Sequence, residues 1–284
     1  MKPFALLRST LCINASLLSL CVAAAPLPVD LTPVGAERGP SSDGRIPAWN
    51  GGLHAGQVSL TVNGTPLDPY ADERPLYVIS ASNYTQYREQ LTAGQVALMQ
   101  RYPKSFRLLV YPSHRSVAVP PRVSEWARHN AASARLVNHG NGVAGFAGVV
   151  AFPRPGNGLQ VLWNHLTRPR NGSYSLASDS ITPRGDGRFA TISLQQNFAR
   201  PDGLEGGQAG NVLYYLSYRM TAPSRLAGDA VVLHETLDQV AQPRLSWLYS
   251  SSQRRVRRAP ALAYDSITPG TAGLRTADSR DMFN

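Results

Sequence analysis

The sequence predicts an α+β fold, mainly β, organised on a curved antiparallel sheet with a few covering helices and an extended N-terminal arm. Three observations predict it. The 284 residues include 24 glycines and 22 prolines, a density of chain breakers that favours short strands joined by turns. Beyond residue 144, stretches such as "RFATISLQQNF" and "NVLYYLSYRM" alternate apolar with polar side chains, the period of a half-buried strand. Helical signals are confined to residues 82–137. With 43% hydrophobic and 16% charged residues, the chain can bury a sizeable core.

Residues 1–24 read as a cleaved signal peptide that sends the protein to the periplasm. Lys2 and Arg8 form a basic start, residues 11–22 are apolar but short for a bilayer span, and Ala23 and Ala24 suit cleavage before Ala25. Both cysteines, Cys12 and Cys21, fall in this leader, so the mature chain is expected to hold no thiol and no disulfide. Losing Lys2 and Arg8 takes the formal charge from +10 to +8. An exported basic protein does not meet chromosomal DNA, so nucleic acid is excluded; anionic lipid head groups or acidic protein surfaces fit the charge.

Residues 25–75 are rich in Pro, Gly, Asp and Asn and predict an extended arm, with Trp49 as its anchor. Residues 76–143 predict a mainly helical segment packing on the sheet. Ser82 caps a helix to Leu91, Thr92 starts a second that stops before Pro103, and residues 124–137 form a third with Trp126, Ala127, Ala131 and Ala134 near one face. Residues 144–284 predict the sheet, part of the same domain. In "GLQVLWNHL", Leu159, Val161 and Trp163 alternate with Gln160, Leu162 and Asn164, which predicts a strand. Tyr214, Leu216, Tyr218 and Met220 share one face of the next. Leu245, Trp247 and Tyr249 form an aromatic strand, residues 250–253 a turn, and residues 254–258 a return strand. That strand sets Arg254, Val256 and Arg258 against Arg255 and Arg257.

Signals for chemistry are sparse. His234-Glu235 opens like a zinc-protease helix, but position 238 is Asp and the segment alternates like a strand. Neither a nucleophile elbow nor a phosphate-cradling loop occurs. His114 and His165 are polar residues in apolar company; a proton carrier is one reading, a histidine hydrogen-bonded to backbone the favoured one. Arg254, Arg255, Arg257 and Arg258 could grip phosphates, although a solvated face that guards a strand edge explains them more simply.

Several separated stretches together resemble one family, the exported bacterial DUF1329 proteins, related to the LolA/LolB-like lipoprotein-sorting fold. They are "LTPVGAERGPSSDGRIPAWNGG", "YPSHR", "FPRPGNGLQVLWNHL", "RLAGDAVVLHETLDQVAQPRLSWLYSSSQRRVRRAPALAYD" and "GLRTADSRDMFN". The resemblance implies an incomplete antiparallel half-barrel curved around an apolar cavity, with no catalytic residues and no cofactor. Members of the family continue with further strands past such a "DMFN" stretch, so residues 265–284 are expected to be poorly anchored and the last strand to leave an open edge. The function implied is a non-enzymatic carrier or accessory protein with a hydrophobic, lipid-like ligand on the concave face of the sheet, serving an outer-membrane protein or RND-type exporter. Trp163, Tyr214, Tyr218, Trp247 and Tyr249 are its candidate lining. The alternative is a surface-binding adaptor whose Arg254, Arg255, Arg257 and Arg258 dock on anionic lipid or an acidic outer-membrane partner.

Overall fold

The structure is a computed structural model that describes residues 27–62, 64–170, 172–204, 210–259, 266–268, 271, 273–277 and 279. The signal-peptide reading of residues 1–24 lies outside them. Among the described residues, no helix is long and apolar enough to cross a membrane.

The described residues of the arm, 27–62 and 64–75, are turn-rich and bonded to the segment 114–117. The Arg115 guanidinium donates to the carbonyls of Glu37, Arg38 and Gly39, and Trp49 Nε1 donates to Val117 O at 2.9 Å. A two-stranded sheet follows, β1 (Tyr77–Ser80) antiparallel to β2 (Arg107–Val110), with α1 (Ala93–Arg101) between them in sequence. Thr92 caps α1 as predicted, and Gln95 completes the capping box. The expected helix before it is a 3₁₀ segment, Tyr84–Gln90. Ile79, Leu91, Val96 and Met99 form a core drawn from this region alone, so α1 packs on its own hairpin rather than on the large sheet.

The third helix, α2 (Pro121–Ser133), begins earlier than the sequence predicts because Pro121, with its fixed φ and no N–H, suits the first helical position. It buries Val123, Ala127 and Asn130, an i, i+4, i+7 stripe. Residues 135–137 are not helical: β3 (Arg135–Val137) pairs antiparallel with β4 (Gly142–Ala144).

"GLQVLWNHL" corrects the sequence reading. It is helix α3 (Gly158–Leu166), not a strand. Asn157 caps it by accepting from Gln160 N at 3.0 Å, and Leu159, Trp163 and Leu166 also fit helical spacing. Trp163 therefore packs with Val143, Ala151 and Phe152 and donates its Nε1 to Gly140 O at 2.9 Å.

The main sheet is an antiparallel meander of six strands in the order β10-β9-β8-β7-β6-β5. They are β5 (Tyr174–Pro183), β6 (Phe189–Ala199), β7 (Val212–Ala222), β8 (Ala230–Thr236), β9 (Leu245–Ser250) and β10 (Arg255–Arg258). The curved, mainly β architecture is the one the sequence predicts. Its buried face carries Ile192, Phe198, Tyr214, Leu216, Tyr218, Met220, Val231 and Leu233. The described C-terminal residues 266–277 cover part of that face. Ala277 is 1% exposed within the cluster of Phe198, Leu216 and Leu233, and Thr268 and Thr271 are buried. The expectation of a poorly anchored tail fails for these residues, because a small apolar side chain fits against the sheet there.

Candidate functional site

Strand register decides where the sequence-predicted aromatics lie. Tyr218 faces Val231 and Tyr214 faces Glu235 across β7–β8, and both tyrosines are 5% exposed on the buried face. Trp247 faces Val232 and Tyr249 faces Ala230 across β8–β9, which sets them on the opposite face. There Trp247 and Tyr215 flank the His234 ring at 5.0 and 4.8 Å. Trp163 belongs to α3. The five candidates thus occupy three surroundings and line no common cavity.

Between β5–β7 and the segment 266–277 lies a cavity of about 160 Å³, lined by Ser178, Asp179, Gln196, Tyr218 and Arg275 among others. That is below the roughly 300–1,000 Å³ of small-molecule pockets, and its lining is largely polar. Nearby, Arg244 Nε donates to Glu235 Oε2 at 2.8 Å with the two side chains 3% and 4% exposed. Burial pushes the Glu235 carboxyl above its ordinary range, and the Arg244 charge pulls it back. This pair belongs to the core, where Gln239 also reaches the carboxylate.

A larger opening lies beside α2. A cleft of about 580 Å³ is walled by Val34 of the arm, by Val117, Val119 and Pro120, by Val123 and Trp126 of α2, and by Val149 and Val150. Among the described residues, Arg122, Arg170 and Arg200 are its ionisable lining residues. A wider shelf of about 850 Å³ is lined only by residues 94–102 of α1 and its C-terminal flank, so it is open surface.

One buried side chain holds the cleft's back wall. Asn130 is 1% exposed; its Nδ2 donates to the carbonyls of Ala147, Val149 and Val150 at 2.8, 3.0 and 3.1 Å, and its Oδ1 accepts from Ala147 N at 2.8 Å. These bonds clamp residues 147–150 onto α2. They also hold Val150 at φ 57°, a left-handed conformation that a β-branched residue rarely adopts. Gly148, at φ 59°, brings bare backbone against the Trp126 indole, where an added Cβ would lie 2.0 Å from the ring.

The guanidinium groups are ordered around this wall. Arg122 lies over the Trp126 ring, 4.5 Å from its centroid. Arg200 Nη2 donates to Gly148 O. Arg170 sits over Phe198 and Tyr214 at 5.4 and 5.7 Å, which links the cleft to the sheet core. Of the sequence-predicted aromatics, Tyr214 alone stands directly behind a lining residue.

The arginine hairpin has the predicted form with one shift. Arg254 sits in the turn at φ 50°, and β10 runs from Arg255 to Arg258 as the sheet's edge strand, every residue exposed. Arg255 and Arg257 share the face of Leu248 and Ser250, whereas Val256 and Arg258 stand beside Tyr249 and Trp247. His114 Nε2 lies 2.7 Å from Glu73 Oε1 and stacks on Tyr70, tying the arm to the 114–117 segment. His165 is an exposed residue in the last turn of α3, and burial lowers the His234 pKa. Among the described residues, no group of three or more His, Cys, Asp or Glu is placed to hold a metal.

Sequence reasoning missed the cleft because separated segments build it. The available signal was local: a Pro-Pro start at 120–121, then Arg122 and Trp126 four residues apart, the spacing that stacks side chains on a helix.

Residues 78–284 match the family described as "Protein of unknown function (DUF1329)". A curated relative, "Uncharacterized protein PA3922" of Pseudomonas aeruginosa, is 47% identical over 266 residues, which cover 92% of this chain and 58% of the relative. The chain therefore spans less than two thirds of that relative's length. The crystal structure of a DUF1329 family protein from Desulfovibrio piger aligns over 38% of this chain and 40% of its own, at 19% identity and a TM-score of 0.29.

Proposed function

The chain belongs to the DUF1329 family, and from that premise we propose that it is a non-enzymatic periplasmic binding protein for a hydrophobic, lipid-like ligand, held in the cleft beside α2. One observation carries this reading. The cleft is a 580 Å³ concavity walled by valines, prolines and Trp126, within the size range of small-ligand sites and far larger than the polar cavity on the sheet. Burying hydrocarbon there is worth about 25 cal/mol per Å² before ordering costs. Among the described residues, the ionisable groups of its lining are guanidiniums, donors suited to holding an anion. The arginine-free walls supply affinity, and the Asn130 amide holds Val149 and Val150 in place.

The test uses an uncharged probe, N-phenyl-1-naphthylamine. Binding should enhance its fluorescence, and Val119→Trp, which fills the cleft from a half-buried position, should weaken binding at least tenfold with little change in the unfolding midpoint. Equal binding by the variant refutes the location; no binding by either refutes the function.

The hairpin favours a second reading, docking on an anionic lipid surface. Val256 is 65% and Tyr249 38% exposed beside the β10 arginines, an apolar–basic pairing suited to a charged interface. Replacing Arg254, Arg255, Arg257 and Arg258 with Gln should abolish salt-sensitive binding to phosphatidylglycerol vesicles. Unaltered vesicle binding, or capture only by an acidic outer-membrane protein, counts against it.

A further inference from the structure

Resting on the reading of the cleft as an apolar-ligand site, we propose that its ligand is a single-chain amphiphile with an anionic head, carboxylate or phosphate, and that Arg122 receives that head at the mouth. Arg122 is exposed, whereas its helix neighbours Val123 and Trp126 turn into the cleft and pack there. A chain among the valines would therefore end near the guanidinium.

The posture of Arg122 suits this task. Its guanidinium carbon lies 4.5 Å from the centroid of the Trp126 ring, a cation–π contact that holds the charge beside the cleft. A guanidinium grips a carboxylate or phosphate with two parallel hydrogen bonds. The indole is itself fixed by the Gly148 backbone, so the guanidinium is positioned before a ligand arrives. Among the described residues that line the cleft, the other ionisable groups, Arg170 and Arg200, are also cations. The volume of about 580 Å³ accommodates one alkyl chain in the manner of a small-ligand pocket, not the two chains of a phospholipid.

Isothermal titration of the full chain with decanoate, decyl phosphate and decanol, each below its aggregation limit, separates chain from head. At least one anion should bind tenfold or more tightly than decanol, and the tighter of the two identifies the head as carboxylate or phosphate. Arg122→Gln should remove that advantage and leave decanol affinity unchanged, while Arg122→Lys should keep part of it. Unfolding midpoints of both variants should match the parent protein, since the side chain is exposed. Decanol binding as tightly as both anions, or an anion advantage that survives Arg122→Gln, overturns the head-group assignment and leaves the apolar cleft standing. Failure of all three ligands to bind overturns the cleft reading itself.

Discussion

Replacing Asn130 with alanine should both destabilise the protein and erase the cleft. The amide has two N–H groups shared among three carbonyls, at 2.8–3.1 Å, and accepts one further bond from Ala147 N. Alanine thus removes about three hydrogen bonds at roughly 1 kcal/mol each, so the loss is about 3 kcal/mol. The side chain is 1% exposed, so the orphaned groups sit in a cavity that water fills poorly. Without the clamp, Val150 at φ 57° keeps its N–H bond to Thr167 O but loses the bond to its carbonyl, and the 147–149 part of the wall should relax. Urea denaturation followed by far-UV circular dichroism gives the stability change, and N-phenyl-1-naphthylamine fluorescence gives the cleft. A loss below about 1 kcal/mol would show that the bonds are replaced by solvent. Unchanged probe affinity in the folded variant would refute the claim that this wall forms the binding site.

Further outcomes follow from other parts of the fold. Arg244→Met should cost about 3–5 kcal/mol at neutral pH by leaving Glu235 buried without its counter-charge. Burial already holds the Glu235 carboxyl above its ordinary range, so its contribution is full below the ordinary carboxylate value and is lost as pH rises through the folded value. The variant raises that pKa further, so its deficit should widen from pH 5 to pH 8; a deficit independent of pH contradicts the assignment. Gly148→Ala should cost about 2 kcal/mol or more in thermal unfolding, from left-handed strain and from the Trp126 clash, and a neutral result would remove the indole from that wall. Arg255→Val with Arg257→Val should raise aggregation in light scattering while barely moving the unfolding midpoint, because β10 is the exposed sheet edge. Ala277→Asp should speed hydrogen exchange in residues 266–277 and along β7, and an unchanged exchange pattern would mean that the segment does not cover the sheet.

What could be read from the sequence follows how local each signal is. The face shared by Tyr214, Leu216, Tyr218 and Met220 was legible, because every second residue of β7 is buried. The β9–β10 hairpin was legible from the alternation of Leu245, Trp247 and Tyr249 with Ser246 and Leu248 and from the turn at residues 250–253, although every residue of β10 is exposed. β5 was not recognised: its outward row carries the exposed Ile181 beside Ser175, Ala177 and Asp179, and its inward row includes Ser178 and Ser180, so hydrophobic contrast is weak. α3 was misread because Leu159, Val161 and Trp163 satisfy a period of two while Leu159, Trp163 and Leu166 satisfy helical spacing. The cap at Asn157 decides between them. The cleft could not be read at all, since Val34, Val119, Val123 and Val150 meet only after the arm, α2 and the 147–150 loop are assembled.

Photo-crosslinking with a diazirine-bearing decyl chain, followed by peptide mass spectrometry, tests the central claim most directly. The adducts should fall on residues 117–126 and 149–150, which line the cleft beside α2, and should disappear in Val119→Trp. Adducts concentrated instead on Ile192, Leu194 and Tyr218, around the small cavity of the sheet, would place the ligand on the other surface and contradict the claim.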